Sequence, residues 1–348
     1  MRKKSMVVLA ILLCMVMLTG LILAGCGQGK KEEPAQSGEE PQKLNLRLAT
    51  QHPVEHMATK SAEKIKEKIE KETNGRITIT IYPANQLGDY TQVYEEIIRG
   101  SIDIAHISVP DQFDARLSIG FLPYIGRDYE EISKVFAAGS YLSNEVSKLH
   151  EALGVKFLGY YGEGFGGIGC TKMPTDPANF NVDKGLLVRV PPIDAFKLAA
   201  EDLGFRTTTI PYAETYSALQ TGIADGWVGG PPNLNYMWFR DVINVFLQYN
   251  NSFESTSYVM NLKLWNSLSP EDQKIVADAF SEQCAESYSL AEADDKLHRE
   301  KLKEAGIEVV EFSPEELGSF AQHIREVTWP KLAKNFTEEL VNGLIESY

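Results

Sequence analysis

Leu44, Leu46 and Leu48 alternate with polar residues, and a period of two predicts a strand over 44–50. From about Pro53 the period changes. Ala58, Ala62, Ile65 and Ile69 recur at helical spacing, and Asn74-Gly75 ends that helix. Ile77, Ile79 and Ile81 then share one face of a second strand, closed by Pro83. A helix over about 89–99 ends at Gly100, and residues 102–109 form a third strand. Strand and helix alternate, which predicts an α/β protein with a parallel sheet.

The second half repeats the layout. Tyr94, Gly100 and Asp103 follow the pattern Y-x5-G-x2-D, and so do Tyr216, Gly222 and Asp225. A strand ending in proline precedes each, at Pro83 and Pro211, and Pro110 and Pro231 follow the last strand of each half. Two similar β-α-β units are expected, one per lobe. Ligands of open α/β sheets sit beyond the carboxyl ends of the strands, so two lobes with those ends facing each other would enclose a cleft.

Helix dominates the C-terminal part. Ser269-Pro270-Glu271-Asp272 supplies an N-cap, a proline in the first turn and acids at the positive helix end. No proline or glycine recurs before Gly306, which permits a helix of some thirty residues, long enough to cross both lobes. Residues 307–312 form a short strand, and Ser313-Pro314-Glu315-Glu316 starts another helix.

The chain has 348 residues, which favours two domains over one small core. Its formal charge is −14, and the three cations near the start leave the remainder more acidic still. A nucleic-acid partner needs a basic face and is not expected. An anionic small ligand remains compatible, because one buried site can be locally positive on an acidic protein.

Arg2, Lys3 and Lys4 precede an uncharged, mostly apolar run from Met6 to Ala24 that closes in small residues before Cys26. The run is nearly long enough to anchor in a bilayer, but the basic start and small-residue end favour an export signal over residues 1–25. "LAGC" resembles the bacterial lipoprotein cleavage box, which implies that Cys26 becomes a lipidated first residue and that the protein is held extracytoplasmically on a membrane. Residues 26–43 are polar and Pro/Gly-rich and read as a flexible tether. Only Cys170 and Cys284 lie in the body. Two cysteines make no disulfide framework, and small buried side chains are the expectation.

Four constellations bear on chemistry. "HPVEH" (52–56) matches the H-x-x-E-H form of some zinc enzymes. Pro53 separates the histidines, His52 should precede the helix, and the two imidazoles need not converge, so no metal is assigned. There is no G-x-S-x-G elbow, and Cys170 has no histidine near it in sequence. The glycine-rich "YYGEGFGGIGC" lacks a P-loop lysine and a following helix. Its glycines are read as letting the backbone approach a ligand.

The fourth is Arg189, set among Leu186, Leu187, Val188 and Val190 and followed by Pro191 and Pro192. An ion pair with Asp183, Asp194 or Asp202 would make it structural. The alternative is a carboxylate clamp, since a guanidinium offers two parallel N–H donors matched to two carboxylate oxygens. Tyr160, Tyr161, Phe165, Tyr212 and Trp227 lie in neighbouring segments and suit a site that buries the apolar part of an organic acid.

"ETNGRITITIYPANQLGD", "GSIDIA", "LLVRVPP", "IPYAETYSALQTGIADG" and "LWNSLSPEDQ" together resemble the solute-binding proteins of tripartite ATP-independent periplasmic (TRAP) transporters, the DctP family. The resemblance runs over about 44–310 in the expected order. It implies a two-lobed clamshell of mixed sheets flanked by helices, with a long helix spanning both lobes. It places lobe I at 44–164 plus 255–294 and lobe II at 165–254 plus 295–348. It implies a non-catalytic protein without cofactor that closes on an organic acid and delivers it to a membrane permease, with Arg189 pairing the solute carboxylate. Trp227, Tyr161, Phe165 and Tyr212 are expected to line the site, with Glu163, Asn233 and Gln86 completing the candidate set.

Two departures stand out. Phe165 is followed by Gly166 and Gly167 where many members carry a second arginine, and "DGWVGGPP" puts Trp227 and glycines where many carry an asparagine. Asn233 and Asn235 lie just beyond. One cationic contact fewer and one tryptophan more favour a monocarboxylate with an apolar or aromatic part over a diacid. Carboxylate binding on behalf of an ABC importer or a sensor is the alternative use of the same clamshell. An exported zinc enzyme built on "HPVEH" is a third reading.

Overall fold

The computed structural model describes residues 43–347; the expected export signal, Cys26 and nearly all of the expected tether lie outside them. The first strand, β1 (Leu44–Thr50), leads through the helix Met57–Glu72 to β2 (Ile77–Tyr82), and then through the helix Tyr90–Arg99 to β3 (Ile104–Ile107). His56 caps the first helix, accepting from the Ala58 N–H, so helix begins after Pro53 as its fixed φ and missing N–H require. Asp89 and Gln92 form a capping box on the second, and Gly100 ends it at φ +81°, a conformation glycine takes without penalty.

The chain next runs through β4 (Val155–Phe165) and β5 (Ile168–Cys170), and continues with β6 (Leu187–Val190), β7 (Arg206–Thr209) and β8 (Gly226–Val228). It returns through β9 (Val245–Gln248) and β10 (Phe253–Asn261), and ends its strands with β11 (Glu308–Glu311). Two sheets result. One has the order β2-β1-β3-β10-β4 and the other β11-β9-β5-β8-β6-β7.

The repeat legible in the sequence is a repeat of topology. β1 pairs in parallel with both β2 and β3, and β6 pairs in parallel with both β7 and β8, so each sheet contains the same three-strand order. The sheets are mixed, because β10 lies antiparallel between β3 and β4, and β5 antiparallel between β8 and β9. The chain crosses between sheets after Phe165 and again between Gln248 and Phe253.

The helix Pro270–Glu304 has 35 residues, about 50 Å at 1.5 Å per residue. Its start is tied to the first sheet's side by a bidentate Arg76–Asp272 pair at 2.9 and 2.6 Å, and its end to the second by Arg299 on Glu311. The helices after β11 belong to no single lobe. Residues 314–327 pack on the helix Asp194–Asp202, while 329–336 and 338–346 pack on Ala115–Phe121 and Tyr141–Ala152. Among the described residues, no helix is long and apolar enough to cross a membrane. Cys170 and Cys284 are buried and unpaired.

The glycine-rich crossing serves the chain itself rather than a ligand, contrary to the reading above. A Cβ on Gly169 would stand 2.5 Å from Asn235 Oδ1 and 2.8 Å from Trp227 Nε1, and one on Gly162 would stand 2.6 Å from the Tyr288 ring. Neighbouring elements fill the space these glycines leave.

Candidate functional site: a cavity around Arg189

The carboxyl ends of parallel strands from both sheets meet at one cavity. Gln51 follows β1 and Ser108 follows β3, from the first sheet. Arg189 on β6, with Trp227, Val228, Gly229 and Gly230 at the end of β8, comes from the second. Tyr90, Pro191, Ile193, Phe196, Tyr212, Leu234 and Glu254 complete the wall. The enclosed volume is about 30 Å³, room for little more than a water molecule.

Arg189 is 2% exposed. Its Nε donates to the Ile210 carbonyl at 2.8 Å, and its guanidinium lies 5.9 Å from the centre of the Tyr212 ring. Among the described residues no carboxylate pairs with it. The three aspartates considered as structural partners are engaged elsewhere. Asp183 accepts from the Gly185 N–H, Asp194 from Asn335, and Asp202 holds Lys331 and Thr328. Among the described residues Arg189 Nη2 is buried without a well-aligned partner, and so are the hydroxyls of Tyr90 and Tyr212 in the same wall, although Tyr90 stands close enough to interact with the guanidinium. Burial pulls the guanidinium pKa down, while Tyr90, Tyr212 and Asp89 work against it. Buried polar groups are nearly always satisfied, so three orphans facing one cavity describe a site made for an acceptor.

Trp227 closes one side. Its Nε1 donates to Asn235 Oδ1 at 2.9 Å, and Asn235 in turn donates to the Gly230 and Pro231 carbonyls, so the indole is fixed before any ligand arrives.

The other candidates lie elsewhere. Tyr161 packs edge-on against His106 and Tyr258 in the core of the first sheet. Phe165 meets Tyr129 and Phe253 at the crossing. Both sit on β4, whose later residues are buried on both faces, so its aromatics serve packing. Asn233 donates to Asp294 at 2.7 Å, tying the second sheet's side to the long helix. Gln86 is exposed in the turn after β2.

Glu163 marks the largest departure from expectation, because the two imidazoles of "HPVEH" do converge. His52 and His56 stack at 4.6 Å, and His52 Nε2 lies 2.8 Å from Glu163 Oε1. Thr256 donates to the same oxygen at 2.6 Å and stands 2.8 Å from His106 Nε2, while His56 Nε2 faces Glu163 Oε2 at 3.8 Å. Proline does keep His52 out of the helix, but Glu163, on β4, supplies the centre they share. Burial works to raise the Glu163 pKa, yet His52, His56 and Thr256 outweigh it and hold the carboxyl below its ordinary value. His56 is pushed down to about 3 by burial and by His52. Donor atoms of His52, His106 and Glu163 lie within 4.8 Å of one another; the Thr256 hydroxyl bridges Glu163 and His106, while His52 Nε2, His56 Nε2 and Glu163 Oε2 are buried without a well-aligned hydrogen-bond partner among the described residues.

Sequence reasoning missed Gln51, Ser108, Tyr90 and Glu254. The available signal was positional: Gln51 and Ser108 are the first residues past two parallel strands.

Two matched sheets, crossed twice by the chain and spanned by one helix, with an unpaired cation between them, define a two-lobed solute-binding protein. The chain matches the bacterial extracellular solute-binding proteins, family 7, over residues 48–335, and it belongs to that family. It is 24% identical over 289 residues to the C4-dicarboxylate-binding periplasmic protein DctP of Vibrio cholerae, covering 82% of this chain and 85% of that one. It is 25% identical to the sialic acid-binding periplasmic protein SiaP of the same organism, over 67% of this chain and 72% of that one. Similar solved structures include a TRAP periplasmic solute-binding protein from Desulfovibrio salexigens with bound orotic acid. That likeness has a TM-score of 0.81 at 21% identity, covering 88% of this chain and 99% of the other. A Haemophilus influenzae counterpart with bound L-gulonate has a TM-score of 0.78 at 24% identity, covering 88% and 100%.

Proposed function

We propose that this protein captures an organic acid outside the cytoplasm and hands it to a TRAP membrane permease, without catalysis. The observation that carries the reading is Arg189: a buried, rigidly held guanidinium whose Nη2 has no well-aligned acceptor among the described residues. A solute carboxylate supplies that acceptor, and Tyr90 and Tyr212 offer it hydroxyls from the same wall. The organic acids carried by the structural neighbours above are consistent with this chemistry. Pro191, Ile193, Phe196, Trp227 and Leu234 provide an apolar remainder, which favours a monocarboxylate with an apolar or aromatic part.

A cavity of about 30 Å³ is far below the volume of a typical ligand pocket, about 300 Å³ or more. Loading therefore requires the sheets to part, with the crossings near Phe165 and Glu254 as hinges. Ligand favours the closed form because only there do both lobes touch it. Cys26, from its resemblance to a lipidation site, would hold the protein at the membrane beside its permease.

Isothermal titration calorimetry against a panel of carboxylic acids tests the reading. Arg189→Ala should weaken the best ligand by about 2–5 kcal/mol, and Arg189→Lys should fall between, because an ammonium lacks the planar fork. Less than about a threefold loss in Arg189→Ala, under 1 kcal/mol by the usual conversion, removes Arg189 from the site.

A further inference from the structure

The cavity holds an acid as well as a base. Glu254 stands near the start of β10, just past the second crossing, and lines the same space as Arg189. The β4–β10 register shifts here: Glu254 pairs with Gly164 and Ser255 with Gly162, which leaves Glu163 as the extra residue of a bulge. Bulges re-aim side chains. Glu163 serves the histidine cluster, whereas Glu254 serves the cavity.

A relay orients Glu254. Gln51 Nε2 donates to Ser108 Oγ at 3.1 Å, and Ser108 Oγ donates to Glu254 Oε1 at 3.2 Å. Gln51 is itself fixed by the Ser108 N–H, which donates to its Oε1 at 3.0 Å. Among the described residues no cation pairs with Glu254, and it is 6% exposed. Burial and then the charge of Glu163 push its pKa well above the ordinary carboxylate range. The site thus presents one guanidinium and one oriented carboxyl group that form no ion pair with each other, although the Arg189 charge favours the ionised form of Glu254. With Arg189 already paired to the first carboxylate, a second carboxylate on a solute would meet the ionised form of Glu254 with no further cation in the cavity wall to offset it.

We propose that Glu254 is the second determinant of specificity, selecting a monocarboxylate that carries a hydrogen-bond donor, O–H or N–H, away from its carboxylate and rejecting diacids. This rests on Arg189 holding the first carboxylate. A hydroxyl donates to Glu254 or accepts from its protonated form, and an ammonium pairs with the ionised form. The shared chemistry is a polar donor placed against the relay from Gln51 and Ser108.

Two frames of equal skeleton provide the probes. One comprises butyrate, 4-hydroxybutyrate, 4-aminobutyrate and succinate; the other 4-methylphenylacetate, 4-(hydroxymethyl)phenylacetate, 4-(aminomethyl)phenylacetate and 4-carboxyphenylacetate. In at least one frame a donor-bearing acid should bind the wild-type protein roughly tenfold or more tighter than both its plain parent and its diacid, the scale of one charge-assisted hydrogen bond. Glu254→Gln should then abolish that preference if the favoured donor is the ammonium. If it is the hydroxyl, the preference should survive and only the discrimination against the diacid should fall. Glu254→Asp, which keeps the charge and shortens the reach, should weaken the favoured acid in either case and covers a failure of the glutamine variant to fold. A diacid or plain acid binding best, no donor-bearing acid binding at all, or an unchanged selectivity profile in both variants would overturn the inference. Arg189→Ala run in parallel separates the two claims. Loss of all binding there with selectivity indifferent to Glu254 overturns only the second determinant, whereas undiminished binding overturns the carboxylate clamp itself.

Discussion

Arg189 donates its Nε–H to the Ile210 carbonyl at 2.8 Å, just past the end of the strand paired with its own, while its Nη2 is buried with no acceptor. One bond fixes the direction of the fork and leaves its working end unspent. An uncompensated buried charge lowers stability, and replacing it with an apolar side chain of similar volume is often neutral or stabilising. Arg189→Met should therefore raise the unfolding free energy of the ligand-free protein by about 1–3 kcal/mol while abolishing acid binding. Urea titration with and without ligand checks both. Equal destabilisation in the two states would mean that the arginine is structural.

Tyr212 and Tyr161 provide a paired test of where the site lies. The Tyr212 hydroxyl is an orphan in the cavity wall, whereas Tyr161 packs among His106 and Tyr258. Tyr212→Phe should cost about 0.5–1.5 kcal/mol of binding, the value of one hydrogen bond. Tyr161→Phe should leave affinity unchanged. Calorimetry giving the reverse order would move the site toward the first sheet's core.

Gly169 leaves room for the Trp227–Asn235 hydrogen bond. Gly169→Ala forces a methyl group into that contact and should destabilise by roughly 1–3 kcal/mol through overpacking, with a shift in tryptophan emission. A fully stable variant with unaltered fluorescence would show that the indole is not fixed as described.

Histidine burial predicts acid sensitivity. His150 is buried beside Tyr94, whose hydroxyl lies 2.7 Å from Nδ1, and burial pushes its pKa from 6.5 down to about 3. Between those values the unfolded chain binds a proton that the native protein refuses. The stabilisation is therefore complete above pH 6.5 and is lost as pH falls toward 3, at about 1.4 kcal/mol per pH unit for one proton. His56, pushed down to about 3 by burial and His52, adds in the same direction. Urea melts at neutral and mildly acid pH should show His150→Gln flattening this slope. An unchanged slope would mean that His150 is charged in the native state.

Much of this architecture is legible in the chain. Leu44, Leu46 and Leu48 and the isoleucines of 77–81 mark strands because each has one buried face, and Ser269-Pro270 marks the long helix because its cap is local chemistry. Arg189, Tyr212 and Trp227 were legible as candidates, and they share one cavity wall. What escaped was long-range assembly. Glu254 reaches the cavity through a bulge that no periodicity announces, and Glu163 gathers His52 and His56 from one segment and, through Thr256, His106 from another. Tyr161 and Phe165 misled because an aromatic beside glycines looks the same whether it faces a ligand or a core.

The central claim is that Arg189 waits for a carboxylate from outside. A thermal-shift screen of organic acids on the wild-type protein and on Arg189→Ala tests it most directly. The account predicts at least one acid that raises the melting temperature of the wild type and leaves the variant unmoved. Equal shifts in both proteins, or shifts only from compounds lacking a carboxylate, would contradict it.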